Sequence, residues 1–234
     1  MVRSDRWDPM YERYSQAKRG VGDEVAADLR RLVAEGVFTE ADFDWFGDGL
    51  SDADRKWFAA WVIRDGPADV VARLFDQLIR AAVYEVNPSA NRYFVEPCVQ
   101  WVGADRTWEA LLHYVKEGSD FEKAGAFNAS YWVKVLGRVK YAGVRRLYLE
   151  EFIRNPDLNV RRSLVAHLSL ARDSNSPEKQ QLIMAARRIA LSHPDDYIRG
   201  RAEGELHVGS TDERLYFPLP HRPQPDSGGP ATRS

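Results

Sequence analysis

The sequence predicts an all-helical protein in which consecutive helix pairs lie against one another in a row. Three observations predict it: apolar residues recur at helical spacing along the chain, alternating strand patterns are nearly absent, and one turn sequence occurs twice. The 234 residues suffice for one elongated domain or two small ones. We expect about eleven or twelve helices joined by short polar turns.

The first helices are predicted from their start and stop signals. Asp8, followed by proline, opens a helix that Gly20 closes, and an apolar stripe over residues 25–33 marks the second helix. Three further starts have the spacing of a capping box. These are Thr39 with Asp42, Ser51 with Asp54, and Ser119 with Glu122.

Two later segments are the most regular amphipathic helices. Pro67 opens one with its apolar stripe over residues 70–82, and Ser176, followed by proline, opens another with its stripe over residues 182–190. Pro97 falls inside a helix that we expect to extend over residues 88–102. A proline at that place removes a backbone donor, so we expect it to bend or break the helix.

One turn sequence occurs twice, 38 residues apart. Residues 155–161 and 193–199 align without gaps, and each segment follows one helix and opens another. They share proline, aspartate, a β-branched residue and arginine. The identical positions are Pro156, Asp157 and Arg161 in the first copy, and Pro194, Asp195 and Arg199 in the second.

This turn resembles that of the HEAT repeat, a helix–turn–helix unit of about 40 residues. The resemblance implies a right-handed α-α superhelix, in which each helix pair buries its apolar side against the next. In that family an aspartate and an arginine near the start of the second helix commonly bond between neighbouring repeats. The resemblance therefore implies a structural role for the aspartate and arginine of each copy.

The resemblance also suggests how the chain is divided. We expect an irregular helical N-terminal cap over residues 1–50, HEAT-like repeats over residues 51–208, and a disordered tail over residues 209–234. The tail is rich in proline, glycine and serine, which bury too little apolar surface to offset the entropy of ordering. The bend at Pro97 could mark a join between an irregular first part and the regular stack.

Charge is distributed unevenly along the sequence, although its net value is only −2. Residues 22–54 contain ten carboxylates and two arginines, whereas residues 134–162 contain eight basic and three acidic side chains. Two solvated faces would account for this pattern, and so would a polar surface for a charged partner.

Aromatic residues alternate with the cations of the basic segment. Basic groups can contact phosphates while rings stack on bases, so we take this segment as a candidate binding surface. It is similar to what a helical-repeat family of DNA alkylation-repair glycosylases would use, but the aspartate and tryptophans of that family have no assignable counterparts here. The candidate binding residues are Trp132, Lys134, Arg138, Tyr141, Arg145 and Arg146.

The sequence contains no recognisable catalytic or metal-binding motif. The five histidines show no metal-ligand spacing, so we expect neither a metal nor another cofactor. Cys98 is the single cysteine and cannot form an internal disulfide, which indicates a reducing compartment. Apolar runs such as residues 57–63 are shorter than the roughly 20 residues that span a bilayer. We therefore expect a cytoplasmic protein with no membrane contact and a buried thiol at Cys98.

These observations favour a non-enzymatic scaffold that holds another protein along the concave face of the solenoid. The alternative is a nucleic-acid-binding repeat protein, with base excision as a further option. A third hypothesis, a lyase or assembly factor for a chromophore, has only the aromatic content in its favour. The sequence predicts neither the identity of the partner nor the oligomeric state.

Overall fold

The computed structural model describes residues 3–16, 23–34, 36–137 and 143–210. These residues form thirteen α-helices and no strand, which confirms the all-helical prediction. The helices are α1 (Asp8–Gln16), α2 (Asp23–Ala34), α3 (Glu40–Ser51), α4 (Lys56–Arg64), α5 (Ala68–Arg73), α6 (Phe75–Tyr84), α7 (Arg92–Pro97), α8 (Ala104–Glu117), α9 (Asp120–Gly137), α10 (Val144–Arg154), α11 (Leu158–Val165), α12 (Pro177–Leu191) and α13 (Asp196–Ser210). A π-helical turn, Cys98–Val102, joins α7 to α8.

The helices from α3 onward pack as pairs, and the pairs pack on one another. Within the pairs, α3 packs on α4, α6 on α7, α8 on α9, α10 on α11, and α12 on α13. The second helices of these pairs form an unbroken series of contacts, from α4 to α7, α9, α11 and α13. We call this series the second-helix row. The arrangement is compatible with a helical repeat, while the hand of the superhelix remains an expectation.

Apolar positions at helical spacing explain why the pairs stack. Val160 and Leu164 lie one turn apart on α11, and both are fully buried. Ile198 and Ala202 hold the corresponding positions on α13 and are also fully buried. One pair cannot cover such residues by itself, so each pair is stabilised by its neighbour.

Two tryptophans tie α1 and the residue before it to α3. Trp7 Nε1 donates to Asp42 Oδ1 at 2.6 Å, and Trp45 Nε1 donates to Asp8 Oδ1 at 2.8 Å. Both indole rings are fully buried, so each ring fills space between helices while its N–H is hydrogen-bonded. These reciprocal bonds fix the N-terminal helices against the first stacked pair.

Two of the predicted capping boxes are present. Thr39 Oγ1 accepts from the Asp42 N–H at 3.3 Å, and Asp42 Oδ2 accepts from the Thr39 N–H at 2.8 Å. At the start of α9, Glu122 Oε2 accepts from the Ser119 N–H at 2.9 Å, and Ser119 Oγ accepts from the Glu122 N–H at 3.4 Å. Both boxes satisfy donors that a helix start leaves unpaired.

The third predicted box, Ser51 with Asp54, is wrong. Ser51 is the last residue of α3, and the turn that follows is made by Asp52. Its Oδ1 accepts from the N–H groups of Asp54 and Arg55, at 3.0 and 2.9 Å. Asp52, one residue later, therefore provides the side-chain acceptor that was predicted at Ser51.

Three expectations concern helix ends and irregularities. The helix opened by Pro67 is divided at Leu74 into α5 and α6. At Pro97 the helix changes from α to π geometry, and this π-helical turn ends at Gly103, whose φ is +106°. Gly20 and residues 211–234 lie outside the described residues, and the predicted boundary at residue 209 falls within the last turn of α13.

The two repeat turns make the same hydrogen bonds. Asp157 caps α11 by accepting from the Val160 N–H at 3.0 Å, and Asp195 accepts from the Ile198 N–H at 3.1 Å. The arginine of each copy folds back onto its own turn. Arg161 donates to the carbonyl of Asn155 at 2.9 Å, and Arg199 donates to the carbonyl of His193 at 2.9 Å. Pro156 and Pro194 therefore occupy equivalent surroundings.

The bond between these repeats uses a different arginine from the one that the resemblance implied. Arg162 donates to the carboxylate of Asp195, with Nη2 2.5 Å from Oδ2. Arg161 instead satisfies a carbonyl of its own turn. Successive helical residues point about 100° apart, so Arg162 faces α13 while Arg161 turns back over the chain. Arg161 and Arg199 therefore bond within their own turns, whereas Asp195 accepts a hydrogen bond from Arg162 of α11.

At Gly125, α9 passes close to the backbone of α6. A Cβ atom added there would lie 1.8 Å from the carbonyl oxygen of Val83, at the end of α6. No side chain fits at this distance, so glycine lets α9 cross α6 in backbone contact. The residues of α9 that follow Gly125 owe their position to this crossing.

We expect Gly125→Ala to destabilise the protein by about 3 kcal/mol, because the methyl group forces α9 away from α6. Gly200→Ala on α13 is a matched control, since nothing lies within 4 Å of its added Cβ. The control should stabilise the helix by about 0.5–1 kcal/mol. Urea unfolding followed by circular dichroism measures both effects. Equal stability of the two variants would contradict the proposed crossing.

Candidate functional site

Two adjoining cavities lie along the second-helix row. The C-terminal pocket, of about 690 Å³, is formed by α9, α11, α13 and the turn at Pro88 and Ser89. The N-terminal pocket, of about 1040 Å³, is formed chiefly by the end of α4, by α7 and by the π-helical turn. Ser89 and Trp132 line both pockets. We refer to the two pockets together as the groove.

Helical spacing brings the lining residues of the C-terminal pocket together. Asn128, Tyr131 and Trp132 occupy positions i, i+3 and i+4 on α9, and Tyr197 and Arg201 occupy i and i+4 on α13. Such positions share one helix face. Because α11 packs on both α9 and α13, its residues form the floor between these two walls.

Exposed aromatic rings are concentrated in the groove. Six aromatic side chains of the described residues are more than 40% exposed, and four of the six line the groove. These four are Tyr93 (48%), Trp101 (45%), Tyr131 (42%) and Tyr197 (49%). Among the residues that the structure describes, no leucine, isoleucine, valine or methionine lines either pocket, so rings supply the large apolar surface of the groove.

Trp132 is held in a fixed orientation between the two pockets. Its Nε1 donates to the carbonyl of Pro88 at 2.8 Å, and the guanidinium carbon of Arg92 lies 5.7 Å from the centre of its ring. The hydrogen bond fixes the indole plane, and the cation–π contact adds a second restraint. Trp132 therefore presents a positioned ring to both pockets.

The groove is more basic than the chain as a whole. Its lining contains five arginines and two carboxylates, a balance of +3, whereas the whole chain carries −2. The arginines are Arg30, Arg64, Arg92, Arg162 and Arg201, and the carboxylates are Asp65 and Glu96.

Several of these charges are already paired. Arg64 lies 3.1 Å from Asp65, and Arg92 lies 3.2 Å from Glu96. Arg162 is bound by Asp195 beside the pocket, as described above. Within the described part of the chain, Arg30 and Arg201 have no carboxylate partner. These two guanidinium groups are therefore the ones best placed to bind an anion from outside.

A neutral histidine lies at the C-terminal pocket. Burial, together with the positive charges of Lys134 and Arg201, lowers the pKa of His167 to about 4. Its ring stacks on Tyr131 with centroids 5.6 Å apart and lies 6.1 Å from that of Tyr148. A neutral imidazole has one donor and one acceptor nitrogen.

The lining offers recognition rather than an evident reactive centre. Ser163 lines the same pocket as His167, but no hydrogen bond joins them within the described structure, and no carboxylate orients the imidazole. A nucleophile activated by a base needs such contacts. No group of three or more His, Cys, Asp or Glu side chains in the described ranges is placed to hold a metal ion.

The sequence-predicted binding residues are divided by the structure. Trp132 lines the groove. Lys134 lies on the same helix but points toward α10, with Nζ 5.3 Å from the centre of the Tyr148 ring, and burial lowers its pKa. Arg138 and Tyr141 lie outside the described residues.

Arg145 and Arg146 lie on α10, which is not part of the second-helix row. Arg145 donates to the backbone carbonyls of Leu168, Ser169 and Arg172, at 3.1, 2.7 and 2.5 Å. Arg146 donates to Glu150 at 2.7 Å. Packing and local ion pairing therefore account for both guanidinium groups.

Most groove residues were not among those predicted from the sequence. The rings of Tyr93, Trp101 and Tyr197 and the guanidinium group of Arg201 were not predicted to bind a partner. One usable signal was present, because an aromatic and a cationic residue separated by four positions share a helix face. Cys98 meets its expectation: it is fully buried, and burial raises the pKa of its thiol.

Comparison with models of known protein families and with curated proteins finds no match for the sequence. Among the described residues, no helix combines the length and the apolar character needed to cross a membrane.

Protonation of His167 should destabilise the fold. Its pKa is about 4 in the folded protein against 6.5 for an unperturbed histidine, so the unfolded chain binds more protons between these values. We expect the free energy of unfolding to fall by about 2–3 kcal/mol as the pH is lowered through this window, and to be unaffected by His167 above it.

Urea unfolding at a series of pH values measures this slope, and His167→Asn should remove most of it. His193→Asn serves as the comparison. Burial also lowers the pKa of His193, but this ring lies at the turn, where its Nδ1 accepts a hydrogen bond from the Asp195 N–H. An unchanged slope in His167→Asn would show that His167 is not the titrating group.

Proposed function

We propose that this protein binds single-stranded nucleic acid along the groove of the second-helix row. The observation that carries the proposal is the composition of the lining, which combines exposed rings with arginines and lacks large aliphatic side chains. Single strands are held by aromatic rings that stack on bases and by cations that contact the phosphates. A groove of this composition suits a planar, anionic polymer better than an aliphatic partner surface.

The low net charge of the chain does not oppose this proposal. Association is steered by the local field at a site, and the groove carries +3 although the chain carries −2. Of the acidic side chains in residues 22–54, those that the structure describes contribute none of the groove lining. They would repel a strand from the N-terminal helices and so favour its contact with the groove.

A scaffold that holds another protein is the second candidate function. Tyrosine, tryptophan and arginine are enriched in the residues that dominate binding at protein interfaces, and the groove is rich in all three. The sequence analysis favoured this function, whereas the missing aliphatic surface supports nucleic acid instead. In both cases we propose binding without catalysis, since each carboxylate of the groove is paired with an arginine.

We also propose that the stacked pairs are HEAT-like repeats in a right-handed superhelix. The equivalent hydrogen bonds of the two turns and the unbroken second-helix row support this assignment. The proposed cytoplasmic location is supported by the single, buried Cys98. A nucleic-acid partner reached through a groove of this kind would also be available in that compartment.

Fluorescence anisotropy of a labelled single-stranded DNA oligonucleotide tests the proposed function. We expect binding at low salt that weakens as salt is added, because phosphate contacts release counterions. Arg201→Glu should weaken it by about tenfold, the size expected when one well-placed cationic contact is lost. Arg188→Glu on α12 is the matched control: it changes the net charge equally but lies outside the groove, and it should retain most of the affinity.

Absence of oligonucleotide binding at low salt would overturn the nucleic-acid proposal and leave the protein scaffold as the remaining candidate. Equal losses in Arg201→Glu and Arg188→Glu would also count against the groove, because they would indicate attraction to the whole chain.

A further inference from the structure

We propose that the C-terminal pocket binds one purine nucleotide unit, with the base between the α9 and α13 walls and its phosphate at Arg201. This inference rests on the proposed function, because the same pocket would hold one residue of a bound strand. It also goes further. If the pocket contacts both the base and the phosphate of one nucleotide, it should bind a free mononucleotide and prefer some bases over others.

The size and the walls of the pocket suit a base. Its volume of about 690 Å³ lies within the range of about 300–1,000 Å³ that is usual for small-molecule sites. Tyr131 on one wall and Tyr197 on the other are both more than 40% exposed. The ring of Tyr131 stacks on that of His167, with centroids 5.6 Å apart. Flat surfaces of this kind bind a base through stacking.

Asn128 supplies a group that would hydrogen-bond the base. It lies one helical turn before Tyr131 and Trp132 on the pocket face of α9, and its amide has no hydrogen-bond partner among the described residues. An amide can donate to and accept from a single base edge, and adenine offers an acceptor at N7 beside a donor at N6. Cytosine offers the same pair at N3 and N4, so Asn128 orients either base, and the preference for a purine comes from its larger ring system, which stacks over more of the two tyrosines.

Arg201 is the best candidate for the phosphate contact. Of the two arginines in this pocket, Arg162 is held by Asp195, with Nη2 2.5 Å from Oδ2. Arg201 has no carboxylate partner among the described residues and lies one turn beyond Tyr197 on the same face of α13. A base stacked on Tyr197 would therefore bring its phosphate toward a free guanidinium group.

No carboxylate of the described ranges lines the pocket, so the lining described above does not repel the phosphate. His167 adds no charge at neutral pH, because burial lowers its pKa to about 4. The neutral imidazole therefore acts as part of the stacking surface. The uncharged hydroxyl groups of Ser89 and Ser163 complete the polar lining and can bond to the sugar.

Isothermal titration of the full chain with adenosine monophosphate, cytidine monophosphate, adenosine and inorganic phosphate tests the inference. We expect adenosine monophosphate to bind about tenfold more tightly than adenosine, and more tightly than cytidine monophosphate, whose single ring stacks over less of the two tyrosines. Inorganic phosphate alone should bind far more weakly than any of them. The four ligands separate the contribution of the base from that of the phosphate.

Two variants assign these contributions to residues. Asn128→Ala should weaken the binding of both adenosine monophosphate and its cytidine counterpart, and Arg201→Ala should make adenosine monophosphate bind no better than adenosine. Asn159→Ala on α11 and Arg188→Ala on α12 are the matched controls, since neither residue lines this pocket, and both should bind as the parent does. Competition between adenosine monophosphate and the oligonucleotide for the unaltered protein provides a test that needs no variant.

The outcomes separate this inference from the proposed function. If the oligonucleotide binds but the mononucleotides do not, or if phosphate alone binds as well as adenosine monophosphate, the nucleotide pocket is overturned and strand binding stands. If adenosine monophosphate binds with the expected preference and the oligonucleotide does not bind, the pocket is supported and the strand-binding function fails. If neither ligand binds, both fail.

Discussion

The burial of one helix pair against the next is the constraint on which the rest of the structure depends. Each pair has apolar residues on the side that faces its neighbour, such as Val160 and Leu164 on α11, and both are fully buried. Because this burial is repeated along the chain, the second helices lie side by side from α4 to α13. The groove exists only because residues from several separate pairs are aligned in this way.

Polar contacts between neighbouring pairs fix the alignment that the apolar contacts permit. Apolar burial has no strong directional preference, so it allows helices to slide, whereas a charged hydrogen bond sets one register. Such bonds join successive parts of the stack at their edges. They are Lys56 to Glu85 at 2.5 Å, Lys123 to Glu151 at 3.4 Å, Asn155 to Asp120 at 2.7 Å and Arg162 to Asp195 at 2.5 Å.

The sequence predicted the class of fold because helix spacing, capping and a repeated turn are local signals. It failed where a role depends on distant residues. Arg145 belongs to a basic segment, yet its guanidinium group binds backbone carbonyls more than twenty positions away, a contact that no local pattern reveals. The groove was missed for the same reason, because Trp101, Trp132 and Tyr197 come together only when the pairs are stacked.

The position of Trp132 has a thermodynamic consequence. Its indole forms part of both cavities, and its N–H is held by the Pro88 carbonyl, so the ring cannot adjust to one cavity without being displaced in the other. Two occupants would therefore share one wall. By linkage, any effect of one occupant on the affinity of the other would be equal in both directions.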